Sequence, residues 1–156
     1  MLESASPGLK TERDQAERIQ QDLELAQQLE RIDFPVFLAK WYNQPLFASL
    51  HKHPDFNVLL EKRLQNKPLE LPKSLRYLST GRQPSLWNKL KFNQNYLLLL
   101  VGEYDEKFIA INSKMVKLCE SAQLKIMSNC GHNIHFKNPK EFALNLQVFF
   151  SCFNKT

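Results

Sequence analysis

Asn95-Tyr96-Leu97-Leu98-Leu99-Leu100-Val101-Gly102-Glu103-Tyr104-Asp105 is the stretch that decides how this chain is read. A short, unbroken apolar run of this kind has the signature of a strand buried on both faces, the kind found in parallel sheets. It ends in Gly-Glu-x-Asp, which sets an acid at the carboxyl end of the strand, where open parallel sheets keep their chemistry. One helix and one short strand later comes Cys130-Gly131-His132-Asn133-Ile134-His135. Order and context make Asp105 and His132 candidate partners in an acid–imidazole pair, two members of a catalytic triad.

Around that stretch the C-terminal part alternates. A strand over residues 96–101 is followed by a helix over 108–122, with Phe108, Ile111, Met115, Leu118 and Ala122 on one face. A second strand follows over 124–128, then a last helix over 139–150. Alternation of this kind predicts a parallel sheet with a right-handed crossover. Two buried strands do not make a stable parallel sheet, so this section is expected to be the last βαβα of a larger one.

The N-terminal part reads differently. Residues 11–32 predict one amphipathic helix, with Ile19, Leu23, Ala26, Leu29 and Ile32 at three- and four-residue steps and Thr11 with Asp14 as its start signal. A second helix is expected from Asp33-Phe34-Pro35 through Val36, Phe37, Leu38 and Trp41. Pro45, Pro54, Pro68, Pro72 and Pro84 then cut the chain into short helices, expected at 46–50, 55–65, 73–78 and 84–90.

The composition is that of a soluble globular piece: 156 residues, 43% apolar, and no stretch approaching the roughly 20 apolar residues of a membrane span. The first residues lack a basic region followed by an apolar core, so no signal peptide is read there. Cys119, Cys130 and Cys152 lack any Cys-x-x-Cys spacing and predict reduced thiols in a cytoplasmic setting. The net charge of +5 comes from 21 Lys and Arg interleaved with 16 acids, a solvated surface rather than a nucleic-acid face. Neither a nucleic-acid nor a membrane partner is expected.

Several blocks carry a resemblance. Ser6-Pro7-Gly8-Leu9-Lys10-Thr11, Trp41-Tyr42-Asn43-Gln44-Pro45-Leu46-Phe47-Ala48-Ser49-Leu50, Leu78-Ser79-Thr80-Gly81-Arg82-Gln83-Pro84-Ser85-Leu86-Trp87, Gly102-Glu103-Tyr104-Asp105-Glu106-Lys107-Phe108 and Gly131-His132-Asn133-Ile134-His135 resemble the 2-succinyl-6-hydroxy-2,4-cyclohexadiene-1-carboxylate synthase family. The Trp-Tyr-x-Gln-Pro-x-Phe block is the most discriminating, because Gly-Glu-x-Asp and Gly-His-Asn recur in many hydrolases. The resemblance covers nearly all of this chain but only about the C-terminal half of the family. It implies a partial α/β-hydrolase fold: the end of a core strand and a linker (1–10), a helical cap (11–92), and a C-terminal α/β core segment (93–156).

The family's reaction is an elimination of menaquinone and phylloquinone biosynthesis. Pyruvate leaves 2-succinyl-5-enolpyruvyl-6-hydroxy-3-cyclohexene-1-carboxylate, with no metal or organic cofactor. Carried over residue by residue, the resemblance makes Asp105 the acid that orients the imidazole and His132 the proton relay. Arg18 and Arg63 become partners for the carboxylates of a small-molecule substrate, since the planar guanidinium fork binds carboxylates bidentately. Trp41 and Phe47 become aromatic residues lining the pocket. A plastid stroma is the expected compartment if the source is a phototrophic eukaryote.

The family's serine elbow, Gly-x-Ser-x-Gly, has no counterpart here. The glycines are Gly8, Gly81, Gly102 and Gly131, and no two bracket a serine. The chain is therefore expected to be nearly inert alone and to need a complementary N-terminal half carrying the serine. A truncated product, half of a split enzyme and a relic are all compatible with that.

Each residue also has a plainer role. Asp105 precedes a helix and would serve as its N-cap; Arg18 and Arg63 would be solvated helix charges; Trp41 and Phe47 would be cap core. His135 is read as structural or surface, and His51-Lys52-His53 as a solvent loop. Cys130, His132 and His135 form Cys-x-His-x-x-His, which fits no standard structural zinc spacing. Three functions stay open: a lyase fragment, a noncatalytic ligand- or protein-binding module, and an ester-hydrolase fragment.

Overall fold

The computed structural model describes residues 1–151. Cys119 and Cys130 are free and buried, whereas Cys152 lies outside the described residues. The chain divides into two compact units that do not follow the linear boundaries expected at residues 10 and 92. Met1–Ser6, Pro45–His53 and Lys89 onwards form one, and Pro7–Gln44 with Pro54–Asn88 form the other. Residues 45–53, expected within the cap, therefore cluster with the core segment.

The first unit is built on a three-stranded parallel sheet in the order β1 (Leu2–Glu3), β2 (Leu97–Gly102) and β3 (Ala122–Met127). Leu2 faces Leu99 across β1 and β2, while Leu97 faces Ala122 and Gly102 faces Met127 across β2 and β3. β1 gives β2 a neighbour on each side. Leu98, Leu99, Leu100 and Val101 are no more than 7% exposed. Burying each is worth about 1.5–3 kcal/mol, so β2 is the axis of this unit. Leu98 and Leu100, two apart and therefore on one face, cluster with Met127, Cys130, Ile134 and Phe149.

β3 departs from the expectation of burial on both faces: Lys125 is exposed and Ile126 is 49% exposed. It stands at the edge of this sheet, where a charged side chain is the usual occupant. The Lys125 ammonium donates to Asn145 Oδ1 at 2.8 Å.

The crossover helix α5 (Glu106–Leu118) stops earlier than the expected residue 122. Cys119 is already extended and Ala122 already pairs with Leu97 as the first residue of β3. Its buried positions are Asn112 and Met115, and Leu118, expected inward, is 45% exposed. Asn112 is tolerated inside because its amide donates to Phe108 O at 2.8 Å and to Ala5 O at 3.0 Å. A one-turn helix α6 (Ile134–Lys137), absent from the sequence reading, precedes α7 (Pro139–Ser151), which opens on proline as helices tolerate. In place of the helix expected at 46–50, Pro45–Phe47 is a 3₁₀ turn, continued by bonds from Ala48 N to Pro45 O and Leu50 N to Phe47 O.

The second unit is helical. In α1 (Glu12–Arg31) the Thr11 side chain accepts from Asp14 N at 3.0 Å, as the start signal predicts. The buried stripe is narrower than expected: Ala26 and Leu29 are buried, and the third fully buried side chain is Asp22. α2 (Phe34–Tyr42) and α4 (Leu71–Tyr77) each carry proline in the first turn, and α3 (Phe56–Leu64) lies between them. The helix expected at 84–90 is replaced by a non-helical stretch, in which Leu86 N donates to Pro7 O at 2.7 Å, and a 3₁₀ segment over Trp87–Phe92. α1 packs on α4, and Arg76 forks onto the Glu30 carboxylate at 2.6 and 2.7 Å. Among the described residues no helix is long and apolar enough to cross a membrane.

The Arg76 hydrogen bond is the main cause that holds the Glu30 carboxyl below its ordinary value of 4.5. A depressed folded-state pKa gives stability that is present above that value and lost as pH falls through the lowered one. Arg76→Ala is expected to lower the urea midpoint at neutral pH and to leave it closer to the parent's in acid; equal losses at both pH values would contradict the pairing.

Candidate active site

Two loops at the carboxyl ends of adjacent strands carry the candidate acid and imidazole. The one after β2 is closed by Asp105 N donating to Gly102 O at 3.0 Å, and it is tied to the loop after β3 by Glu103 N to Met127 O at 3.0 Å and Tyr104 N to Cys130 O at 2.9 Å. The Glu103 carboxylate returns the tie by accepting from Asn129 N at 2.8 Å, and the Tyr104 hydroxyl meets Asn129 Oδ1 at 3.1 Å. Asn129 has φ of 57°, a left-handed conformation that asparagine adopts at less cost than most side chains.

Gly102 permits this approach, and Gly131 makes room for Ser49. A Cβ on Gly102 would collide with the carbonyl oxygens of Gly131 and Cys130, and one on Gly131 would collide with the Ser49 hydroxyl. Any side chain at residue 102 would push the two loops apart.

The result is contact between the acid and the imidazole. Asp105 is 3% exposed, and its Oδ2 lies 2.7 Å from His132 Nδ1. Its other oxygen accepts from Phe108 N at 3.4 Å as the N-cap of α5, so the plain role and the partner role coincide in one carboxylate. A carboxylate on Nδ1 fixes the tautomer that carries its proton there, which turns Nε2 into the acceptor. Phe108 and Phe47 close on the ring, with centroids 4.7 Å and 6.5 Å from that of His132. Phe47 is itself buried.

Of the residues singled out in the sequence, Asp105, His132 and Phe47 are brought together in the first unit. Arg18, Trp41 and Arg63 belong to the second. There Arg18 Nε donates to the buried Asp22 at 2.9 Å, Arg63 Nε donates to the Tyr42 hydroxyl at 3.2 Å, and Trp41 stacks on Phe37 at 6.2 Å. His135 is half exposed and sits on Glu3, and His53 lies against Phe136 at 4.7 Å. Cys130 is buried, and burial, with Glu141 adding to it, pushes its thiol pKa up, which suits a packing role. Sequence reading missed Phe108 as a wall of the site, although its place three residues after Asp105 on a helix was a usable signal. It also missed Asn112 and Glu3, which pair with partners more than a hundred residues away.

An acid and an imidazole on successive loops of a parallel sheet, each after its own strand, define part of an α/β-hydrolase fold. No protein-family model matches the chain. The structure matches MenH from S. aureus with a TM-score of 0.91 and 37% identity, covering 96% of this chain and 57% of that one.

In sequence the chain is a relative of the 2-succinyl-6-hydroxy-2,4-cyclohexadiene-1-carboxylate synthases. It is 38% identical over 151 residues, 96% of its length, to a Bacillus subtilis protein provisionally given that name, of which it covers 55%. It is 31% identical to the synthase of an Enterobacter species, over 92% of this chain and 53% of that protein. It is 30% identical to the chloroplastic protein PHYLLO of Arabidopsis thaliana, over 94% of this chain and 9% of that protein. The chain thus spans about half the length of the bacterial relatives it matches.

Gly102→Ala is expected to cost about 2–3 kcal/mol, the scale of overpacking against backbone that cannot yield. Urea denaturation measures it. A variant as stable as the parent would mean that the loops do not need this approach.

Proposed function

We propose that this chain supplies the acid and the imidazole of a lyase that eliminates pyruvate from 2-succinyl-5-enolpyruvyl-6-hydroxy-3-cyclohexene-1-carboxylate to give 2-succinyl-6-hydroxy-2,4-cyclohexadiene-1-carboxylate. The observation that carries the reading is the 2.7 Å contact between buried Asp105 and His132, set in a chain so similar to synthases of that name. The names of reactant and product define the electron flow. A proton leaves ring carbon 2, beside the succinyl carbonyl; its electron pair shifts the ring double bond; and the bond from ring carbon 5 to the enolpyruvyl oxygen breaks. The departing enolate is protonated at carbon and becomes pyruvate.

In this reading Asp105 holds Nδ1, and His132 uses Nε2 to draw the proton from a serine hydroxyl, which then acts as the base. That serine comes from a complementary N-terminal segment, since the chain has no Gly-x-Ser-x-Gly. Phe47 and Phe108 keep water from the imidazole. The resemblance offers Arg18 and Arg63 as partners for the substrate's carboxylates; within the second unit Arg18 is bonded to Asp22 and Arg63 to Tyr42. Trp41 contributes an aromatic wall.

The test is pyruvate release, measured with the substrate and with the chain alone or co-expressed with the N-terminal segment of a relative that carries the serine. Activity is expected only for the pair, and His132→Ala in the pair is expected to lower the rate by about 10³-fold or more. Release of pyruvate by no pairing, with substrate binding retained in Asp105→Ala and His132→Ala, would replace this reading with a noncatalytic binding module. Ester cleavage without pyruvate release would point instead to a hydrolase.

A further inference from the structure

Glu3 is the last residue of β1, at the far end of the sequence from the imidazole, yet its carboxylate is bound into the turn that follows His132. Glu3 Oε1 accepts from Ile134 N at 2.6 Å and from His135 N at 3.1 Å, and the His135 Nδ1 lies 3.0 and 2.9 Å from the two oxygens. The carboxylate is shielded, with its side chain 18% exposed. Hydrogen bonds to an ionised carboxylate are short and roughly twice as strong as neutral ones. Here two of them seize consecutive backbone amides, so they fix the peptide planes of the turn.

The next residue shows that this end of β1 is constrained. Ser4 is buried with φ of 40°, a conformation in which a residue with a Cβ is strained. Ser4 N is nevertheless held on Leu100 O at 2.9 Å, and Asn112 holds Ala5 O at 3.0 Å. Such strain persists where surrounding contacts over-determine the backbone. The base on which Glu3 stands is therefore fixed to β2 and α5, and Glu3 transmits that position to residues 134 and 135.

We propose that Glu3 is a positioning residue for His132: its carboxylate sets the course of the 132–135 turn so that the imidazole reaches Asp105. The proposal rests on the reading of His132 as the proton acceptor. Asp105 holds the ring at Nδ1, and Glu3 holds the backbone two and three residues further on. Without the pin, the turn is free to move the ring by the fraction of an ångström that separates a hydrogen bond from a miss.

The test uses three variants and two readouts. Glu3→Ala removes the carboxylate. Glu3→Asp keeps the charge but withdraws it by one carbon, out of reach of Ile134 N, and serves as the folded control should alanine unfold the chain. Glu3→Gln keeps the reach and an acceptor oxygen.

The first readout is the tautomer of neutral His132 in the 156-residue chain, from the ¹⁵N shifts of its ring nitrogens. The parent and Glu3→Gln are expected to hold the Nδ1–H form, while Glu3→Ala and Glu3→Asp shift towards the Nε2–H form that free imidazole prefers. The second is pyruvate release by the co-expressed pair, where Ala and Asp are expected to lower kcat about tenfold or more with KM within about twofold, and Gln to restore most of it. An unchanged tautomer and kcat in Glu3→Asp would overturn the proposal, as would a Gln variant as impaired as Asp. Because the tautomer is read without substrate, a pair that never releases pyruvate would sink the lyase reading and leave the role of Glu3 decided by the first readout.

Discussion

The approach of two backbone segments, Gly102 against Cys130–Gly131, is the constraint on which the site depends. Strands β2 and β3 run side by side in parallel, so their carboxyl ends emerge together, but loops bearing ordinary side chains would be held apart there. With hydrogen in place of a Cβ at Gly102 the loops are tied by Glu103, Tyr104 and Asn129. The distance from Asp105 to His132 then follows from the backbone. The leucines of β2 supply the rigidity behind this arrangement, since a fully buried strand resists the local motion that would blur a 2.7 Å contact.

Much of this was legible. The unbroken run 97–101 predicts a buried parallel strand because no face of it is polar, and Gly-Glu-x-Asp marks its carboxyl end. Thr11 with Asp14 predicts the start of α1, and the structure places the hydrogen bond there. The readings that failed share a cause, namely that local periodicity carries no information about distant partners. Asp22 and Asn112 look like solvated positions, yet each is buried because a partner is supplied, by Arg18 for one and by Phe108 O and Ala5 O for the other. Helix 108–122 ends early because Ala122 lies in register with Leu97 and pairs with it, and strand pairing overrides helical propensity. The stretches at 45–47 and 87–92 are 3₁₀, a tighter winding used in short pieces that local apolar spacing does not distinguish from an α-helix.

The same limits apply to the site. Asp105 and His132 could be paired from order alone, because topology dictates that strand ends in sequence are strand ends in space. Phe47 comes from a segment that no periodicity links to the sheet, and only the similarity to the synthases singled it out. Glu3 gave no signal at all: an acid near the start of a chain is unremarkable until residues 134 and 135 are found hanging from it. Arg18 and Arg63, singled out only by the similarity to the synthases, are bonded within the second unit to Asp22 and Tyr42.

The central claim is that this chain by itself holds Asp105 and His132 in contact, and a double-mutant cycle on its stability tests that claim most directly. Urea unfolding of the parent, Asp105→Ala, His132→Ala and the double variant separates the pair's coupling from the N-cap that Asp105 also provides. The account predicts a coupling of about 1–3 kcal/mol. Additive losses, within about 0.3 kcal/mol, would mean that the acid and the imidazole do not meet in this chain.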